Sequence, residues 1–574
     1  MMNRRGIVLI ALLVVVAIWV AACGSGKEDE TSSPVAETKG KSEDGKTVST
    51  AEADPFGRYE ETVKISLSQE VDPTDQLAPG QTPEDNQYTQ HVLKELNIEV
   101  EYAWTASPSN YDQRLSLAIA SNDLPDAMVV GPVQLRQLVQ SGQIADLTEV
   151  YEQYASDTLK TIIDSTGGMA LESATFDGRL MAIPSVKTQE DGIHLMWIRK
   201  DWLDALGLEP PRTIDDVERV ARAFVENNMG ETGKTIGLAG PDSNGKMYAH
   251  FLESANNLYG FDPIFSAFGA YPGYWLEGED GEPVYGSILP EVKEALAKLR
   301  EWYAAGLIDP EMGVRNDSGE SVVAGETGIF FAPWWMGYGP LANAIRENPE
   351  ANWQAYALPL DANGEFRPHM STPTVEYVVV REGYEHPEAA IKLLNLLVRD
   401  ESKFDIDAIG IGYYPLRIVF APSDEMSVTA QALRDVLSGA KKPEDFYPLV
   451  DQGYKLLAND VDNIHKVKLE PYDRMDIEYW DPQADMSVWT RAYSTLVGVG
   501  PILDTPMEGV YSLLYSQTNT MEKRWANLKT MEDETFLRIV MGAAPLDDFD
   551  TFVEDWLDQG GAQITEEVKE AIRK

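Results

Sequence analysis

Cysteine and positive charge are what this chain has least of: 574 residues hold one cysteine, and 47 Lys plus Arg face 94 Asp plus Glu, a net charge of -47. One cysteine closes no intramolecular disulfide and builds no Cys-x-x-Cys metal site. The acidic balance repels phosphates and excludes nucleic acid as a partner. It disfavours anionic ligands without excluding them, because a pocket can carry local Arg or Lys. The six histidines are scattered with no His-Glu-x-x-His spacing, and neither a Gly-x-Ser-x-Gly elbow nor a phosphate-binding loop occurs. Among 94 carboxylates some pair always falls at glycosidase spacing, so acid abundance says nothing about acid–base chemistry.

What is present is a globular composition, 43% hydrophobic and 25% charged, in a chain long enough for two or more lobes. Met1 to Arg5 is basic, Ile7 to Val20 is an unbroken apolar run too short to span a bilayer comfortably, and Val20-Ala21-Ala22-Cys23 follows. This order resembles the bacterial lipoprotein signal, with VAAC standing as its lipobox. The resemblance implies a signal peptide over 1–22 and a lipid on Cys23, placing the body outside the cytoplasm and tethered to the membrane. The alternative is an uncleaved anchor helix. Residues 23–59 are poor in large apolar side chains and are expected to be a disordered tether.

Beyond the tether, Thr62 to Ser68 reads as a strand, Glu84 to Leu96 as a helix, and Ile98 to Trp104 as an alternating strand. Such a β-α-β start predicts a parallel sheet. The alternation continues through a helix over Tyr111 to Ala120, a strand over Asp126 to Val130 and a helix over Val133 to Gln140. Thr213 with Asp216 forms a capping-box-like start, and Val217, Val220, Ala221, Phe224 and Val225 lie on one helical face. The C-terminal part reads as mainly helical, including Met521 to Val540 and Ile564 to Ile572.

Five blocks in order carry a resemblance: Ser121 to Glu149, Asp177 to Pro184 (DGRLMAIP), Met196 to Phe224, Gly325 to Trp335 (GETGIFFAPWW) and Glu376 to Val398. Together they resemble the extracellular solute-binding proteins of ABC importers, of the maltodextrin-binding type. The resemblance covers roughly Thr62 to Tyr414. It implies an α/β, two-lobed periplasmic-binding-protein-like fold with a hinge, an interlobe cleft and a helix-rich C-terminal part. The lobes would be 60–188 and 375–412 for the first, and 189–374 with most of 413–574 for the second, with crossings near Thr188, Val375 and Tyr413. It further implies a monomer that is not an enzyme and needs no cofactor, capturing an oligosaccharide for the importer's membrane subunits. A peptide or other non-sugar solute is the alternative ligand, and a secreted glycoside hydrolase the alternative activity.

The aromatic segment GETGIFFAPWW is the centre of the expected site. If the strand runs through both tryptophans, Trp334 and Trp335 point to opposite faces and one of them faces the cleft. A flat indole there stacks on the C–H face of a sugar. The family segment ends in a stacking tryptophan, which corresponds to Trp335; the plainer reading of either residue is a core aromatic. Tyr271, Tyr274 and Trp275 in the loop AYPGYW are candidates for a second aromatic surface or for a lobe cap. In the related proteins the crossing segment hydrogen-bonds sugar hydroxyls, which implies Gln189, Glu190, Asp191 and His194; a solvated crossover is the plainer alternative. Gln69 and Glu70 end the first strand, where parallel sheets bind ligands. Asn256, Asn257 and Arg417 are further candidates of the same kind. Some relatives carry a calcium loop at the place of Asn227 to Leu238, but that span lacks the alternating oxygen ligands, so no metal is expected.

Overall fold

The computed structural model describes residues 53–75, 77–243, 245–252, 257–406, 408–466, 472–473, 476–477 and 486–572. The signal segment, Cys23, most of the tether and Asn256 lie outside these residues.

Two sheets carry the fold, built from β1 (Val63–Glu70), β2 (Ile98–Ala106), β3 (Ala127–Val130), β4 (Ile183–Pro184), β5 (Leu195–Arg199), β6 (Ile236–Leu238), β7 (Thr327–Ala332), β8 (Trp353–Tyr356) and β9 (Tyr377–Val380). The first sheet is five-stranded, in the order β2-β1-β3-β9-β4. In β1, Val63, Ile65 and Leu67 are buried while Lys64 is exposed, the alternation that half-buries a strand. β1 pairs in parallel with β2 and β3, as the β-α-β reading predicts. β9 departs from that pattern: the chain returns into the sheet from the other lobe, so β9 runs antiparallel to β3 and β4. The helix expected from Glu84 begins later, at Gln87, because the Asn86 side chain accepts from the backbone N–H groups of Tyr88 and Thr89 and fixes the start there.

The second sheet is four-stranded, in the order β8-β5-β7-β6, with β5 antiparallel to both of its neighbours. The helix Ile214–Glu226 packs beside it. Its Thr213–Asp216 capping box is formed, and Val217, Val220, Ala221 and Phe224 are buried. The C-terminal part wraps this lobe from two sides. Met426 to Val499 contributes to the core that contains Trp353 and Trp334, and the helix Met521–Val540 packs into the core that contains Trp275 and Tyr285. That second contact is keyed by Glu532, which accepts hydrogen bonds from the hydroxyls of Tyr248 (2.6 Å), Tyr285 (2.9 Å) and Ser287 (2.8 Å) while itself 1% exposed. A buried carboxylate is tolerable when its lone pairs are so filled.

The chain crosses between the sheets along neighbouring segments joined by backbone hydrogen bonds. Ser185 N donates to Glu376 O, Lys187 N to Pro373 O, Val186 N to Val419 O and Gln189 N to Ser423 O. The last crossing comes later than Tyr413: Tyr414, Leu416, Ile418 and Phe420 still belong to the first core, the Tyr414 hydroxyl donating to Leu393 O, and Met426 enters the next.

Candidate functional site

Register locates the two sheet edges that the crossing segments join. In the first sheet Tyr377 pairs with Val130 and with Pro184, so the carboxyl ends of β3 and β4 and the start of β9 share one edge. Chain leaves that edge at Pro184 and comes back to it at Glu376. In the second sheet Leu195 pairs with Ala332 and Met196 with Tyr356, so the start of β5 and the ends of β7 and β8 form the matching edge. The crossing segments run between these two edges, and parallel strands conventionally offer ligands their carboxyl ends.

The first-lobe side carries Ser68, Gln69 and Glu70. Ser68 Oγ and the Tyr111 hydroxyl are hydrogen-bonded at 2.7 Å. Gln69 is buried and spends its amide on the carbonyls of Glu70 and Gly412, both at 3.0 Å. Glu70 is exposed, and its carboxyl is pushed up by partial burial and then by the carboxylates of Glu376, Asp112 and Asp72. Glu376 is half-buried, and burial raises its carboxyl against the opposing pull of Lys187 and Arg417. Arg417 donates to Glu401 Oε1 at 3.2 Å, a carboxylate that also holds Lys455, so its charge is matched inside the protein.

In the crossing itself, Gln189–Gly192 is one 3-10 turn. Glu190 points inward: its carboxylate accepts from Ser427 N and Thr188 Oγ1, both at 2.8 Å, and clamps the start of the helix Glu425–Leu437. Asp191 instead meets the aromatic segment, its Oδ1 accepting from Trp334 Nε1 at 2.9 Å. Burial raises the Asp191 carboxyl, and the Trp334 hydrogen bond opposes that rise. His194 is 2% exposed and is driven toward the neutral imidazole by burial, against the opposing pull of Asp262 and a hydrogen bond with the Asn257 backbone.

The two tryptophans do not sit on a strand. β7 ends at Ala332, Pro333 has no N–H to continue the ladder, and Trp334–Tyr338 is a 3-10 turn. Strand alternation therefore does not govern them, and a turn sorts them instead: Trp334 is 3% exposed and Trp335 only half-buried. The Arg491 guanidinium lies 6.0 Å from the Trp334 ring centroid and is itself held by the Asp460 carboxylate through Nε and Nη2. Behind the turn, the π-helical Ser494–Val499 approaches so closely that a Cβ on Gly498 would collide with the Trp334 carbonyl oxygen. These C-terminal residues lacked any local signal, since Arg491 reaches the Tyr338 hydroxyl across 153 positions of sequence.

The loop AYPGYW forms no open surface. Tyr271, Tyr274 and Trp275 are buried in the second-lobe core, and the hydroxyls of Tyr271 and Tyr274 donate to the carbonyls of Arg367 and Met370. Their rings flank His369 at 4.9 and 5.0 Å and fasten the returning segment to the lobe. Asn257, also buried, donates to Asp262 Oδ2 at 2.8 Å. Arg136 of the helix Pro132–Ser141 donates to Gln517 O at 3.1 Å and to Ser516 Oγ, joining the two lobes directly. The turn after β7 thus leaves Trp335 partly accessible while it buries Trp334 against Asp191.

A sequence profile described as bacterial extracellular solute-binding protein matches residues 78–404. The chain is 29% identical over 241 residues to the fructooligosaccharide ABC transporter substrate-binding protein FusA of Streptococcus pneumoniae, a match covering 40% of this chain and 42% of that protein. It is 22% identical over 529 residues to the polygalacturonan/rhamnogalacturonan-binding protein YtcQ of Bacillus subtilis, covering 86% of this chain and 89% of the other. Among solved structures, a human-milk-oligosaccharide (HMO) binding protein of Bifidobacterium longum infantis superposes with a TM-score of 0.56 at 15% identity, covering 89% of this chain and 98% of that one. The alginate-binding protein AlgQ2 superposes with a TM-score of 0.53 at 16% identity, covering 90% and 99%. These structural likenesses establish the two-lobed fold, and the profile match spans more than half of the sequence. The chain belongs to the bacterial extracellular solute-binding protein family.

Proposed function

We propose that this protein captures a carbohydrate, specifically an oligosaccharide, between its two lobes and delivers it to an ABC importer in the same membrane, held on the outer face by a lipid on Cys23. The observation that supports the reading is Trp335, half-buried in the turn that follows β7 and next in sequence to Trp334, whose indole holds Asp191 of the crossing. A flat indole next to carboxylates and hydroxyls matches the alternating C–H faces and hydroxyls of a sugar chain. The ligands in the names of FusA and YtcQ, an oligosaccharide and a polysaccharide, support it. The family is one of solute-binding proteins, so hydrolysis of the glycan is not its activity.

A ligand that touches both lobes favours their closed arrangement by its additional contacts. ATP hydrolysis belongs to the importer. The test is a thermal-shift screen of oligosaccharides against peptides, followed by calorimetry on the hits, because a ligand of the folded state raises its melting temperature. Stabilisation by oligosaccharides that Trp335→Ala weakens is the expected result, and stabilisation by peptides alone would overturn the reading. Palmitate labelling of wild type but not of Cys23→Ala is expected, and equal labelling would remove the lipid anchor.

A further inference from the structure

The crossing carries two charged side chains that the protein does not use itself, and what they hold is an inference that rests on the carbohydrate reading above. Lys187 and Glu376 are both half-buried. Among the described residues the Lys187 ammonium makes no ion pair and no hydrogen bond, and neither does the Glu376 carboxylate. Their neighbours differ: Glu190 holds Ser427 N and Thr188 Oγ1, Asp191 holds Trp334, and Arg417 donates to Glu401 and to Ile418 O.

Backbone register sets both on one side of the crossing. Tyr377 pairs with Pro184 and Ser185 N donates to Glu376 O, so Glu376 stands opposite Ser185. Val186 is fully buried in the first core and bridges Phe420, which turns its neighbour Lys187 to the other side, that of Ser185 and Glu376. One residue lies where the chain leaves the first lobe and the other where it returns. The Lys187 charge acts on Glu376 without closing onto it.

The surroundings show where that side looks. Glu376 acts on Glu70, which ends β1 at the carboxyl edge of the first sheet. Lys187 acts on Asp191, the partner of Trp334 in the turn that also carries Trp335. The pair thus stands between the first-sheet edge and the aromatic turn. A partly desolvated charge without a partner is costly, so this stretch of the crossing has unspent hydrogen-bonding capacity of both kinds. An ammonium offers three donors and no acceptor, and a carboxylate offers acceptors alone. A hydroxyl is donor and acceptor at once, and neighbouring hydroxyls of one sugar ring can serve the two groups together.

We infer that Lys187 and Glu376 form a polar clamp for the solute, the ammonium donating to and the carboxylate accepting from hydroxyl groups of the same bound carbohydrate.

Calorimetry of the full chain with fructo-, malto-, xylo- and arabino-oligosaccharides, beside thermal melts without ligand, tests the clamp. Lys187→Met keeps the stem and removes the donors, and Glu376→Gln keeps an acceptor and removes the charge. Each is expected to weaken the oligosaccharide that wild type binds by at least about tenfold, the weight of one hydrogen bond to a charged group. Lys187→Arg, which keeps charge and donors, is expected to bind more tightly than Lys187→Met. Without ligand, the melting temperatures of Lys187→Met and Glu376→Gln are expected to fall by no more than about 2 °C, because neither side chain has a partner to lose. Wild-type affinity in either of these two variants overturns the inference and leaves the carbohydrate reading standing. A larger fall in the unliganded melts assigns the side chains to the fold and overturns it as well. Binding of peptides and of none of the oligosaccharides removes the carbohydrate reading and the clamp together.

Discussion

Trp334 Nε1 donates to Asp191 Oδ1 at 2.9 Å, joining the crossing between the lobes to the aromatic turn 143 positions further along the chain. The bond sets where Trp335 stands, because the two tryptophans share one 3-10 turn. Trp334→Phe keeps the ring and removes the donor, leaving a largely desolvated carboxylate without its partner. Its expected cost is about 1–3 kcal/mol in urea unfolding. A loss within about 0.3 kcal/mol would show that solvent replaces the indole there.

The two tryptophans should separate stability from binding. Trp334→Ala empties a buried site and is expected to cost about 3–5 kcal/mol of stability. Trp335→Ala is expected to cost clearly less, and to weaken oligosaccharide binding by about 1 kcal/mol or more, roughly fivefold to tenfold. Denaturation and calorimetry on the same two variants check this; equal effects on both quantities would mean that neither residue is specialised.

Glu425 makes stability depend on pH. It is 8% exposed, and burial raises its carboxyl to about 7, with Arg491 and Lys455 pulling down and Asp460 and Asp191 pushing up. Its folded pKa lies above the ordinary 4.5, so between those values the folded protein keeps a proton that the unfolded chain releases. Stability from this group falls as pH climbs through that window. Glu425→Gln is expected to raise the melting temperature at pH 8, by at most roughly 3 kcal/mol of stability, and to change little at pH 4.5. Melts at the two pH values decide it, and a gain independent of pH would assign the effect to packing.

Glu532 behaves in the opposite sense. Burial works to raise its carboxyl, but His250, Lys529 and the Tyr248 hydroxyl hold it below the ordinary value. The stability it adds is present at neutral pH and is lost as pH falls through its folded pKa. Glu532→Ala strands the hydroxyls of Tyr248, Tyr285 and Ser287 and is expected to cost about 3 kcal/mol or more. Limited proteolysis should then release the helix Met521–Val540 early, and resistance equal to wild type would mean that the apolar contacts of Trp525, Phe536 and Ile539 suffice alone.

Local chemistry was readable in the sequence wherever one stretch of chain determined it. The strand alternation of Val63, Ile65 and Leu67, the Thr213–Asp216 capping box and the helix Met521–Val540 all follow from neighbours within a few residues. The antiparallel entry of β9 was not readable, because a β-α-β pattern says nothing about a strand that arrives from another lobe. Asp191 and Trp335 could be named as candidates, but Glu190 could not be told apart from Asp191. The first turns inward to Ser427 N and the second outward to Trp334, and both partners lie far away in sequence. Tyr271, Tyr274 and Trp275 misled for a related reason: a Pro/Gly-rich aromatic loop has the composition of a cleft mouth, while its burial is decided by the returning segment at Arg367 to Met370. The collision that shapes the Trp334 turn comes from Gly498, which has no sequence motif at all.

The Arg136 bridge to Ser516 and Gln517 ties the lobes with the protein's own atoms. In a two-state protein the apparent dissociation constant is the intrinsic one divided by the fraction already in the competent arrangement. A tenfold change in that fraction takes about 1.4 kcal/mol, and a hydrogen bond from a charged group contributes about 1.5–3 kcal/mol. A single guanidinium that links the lobes can thus shift the solute concentration at which binding begins by about tenfold or more.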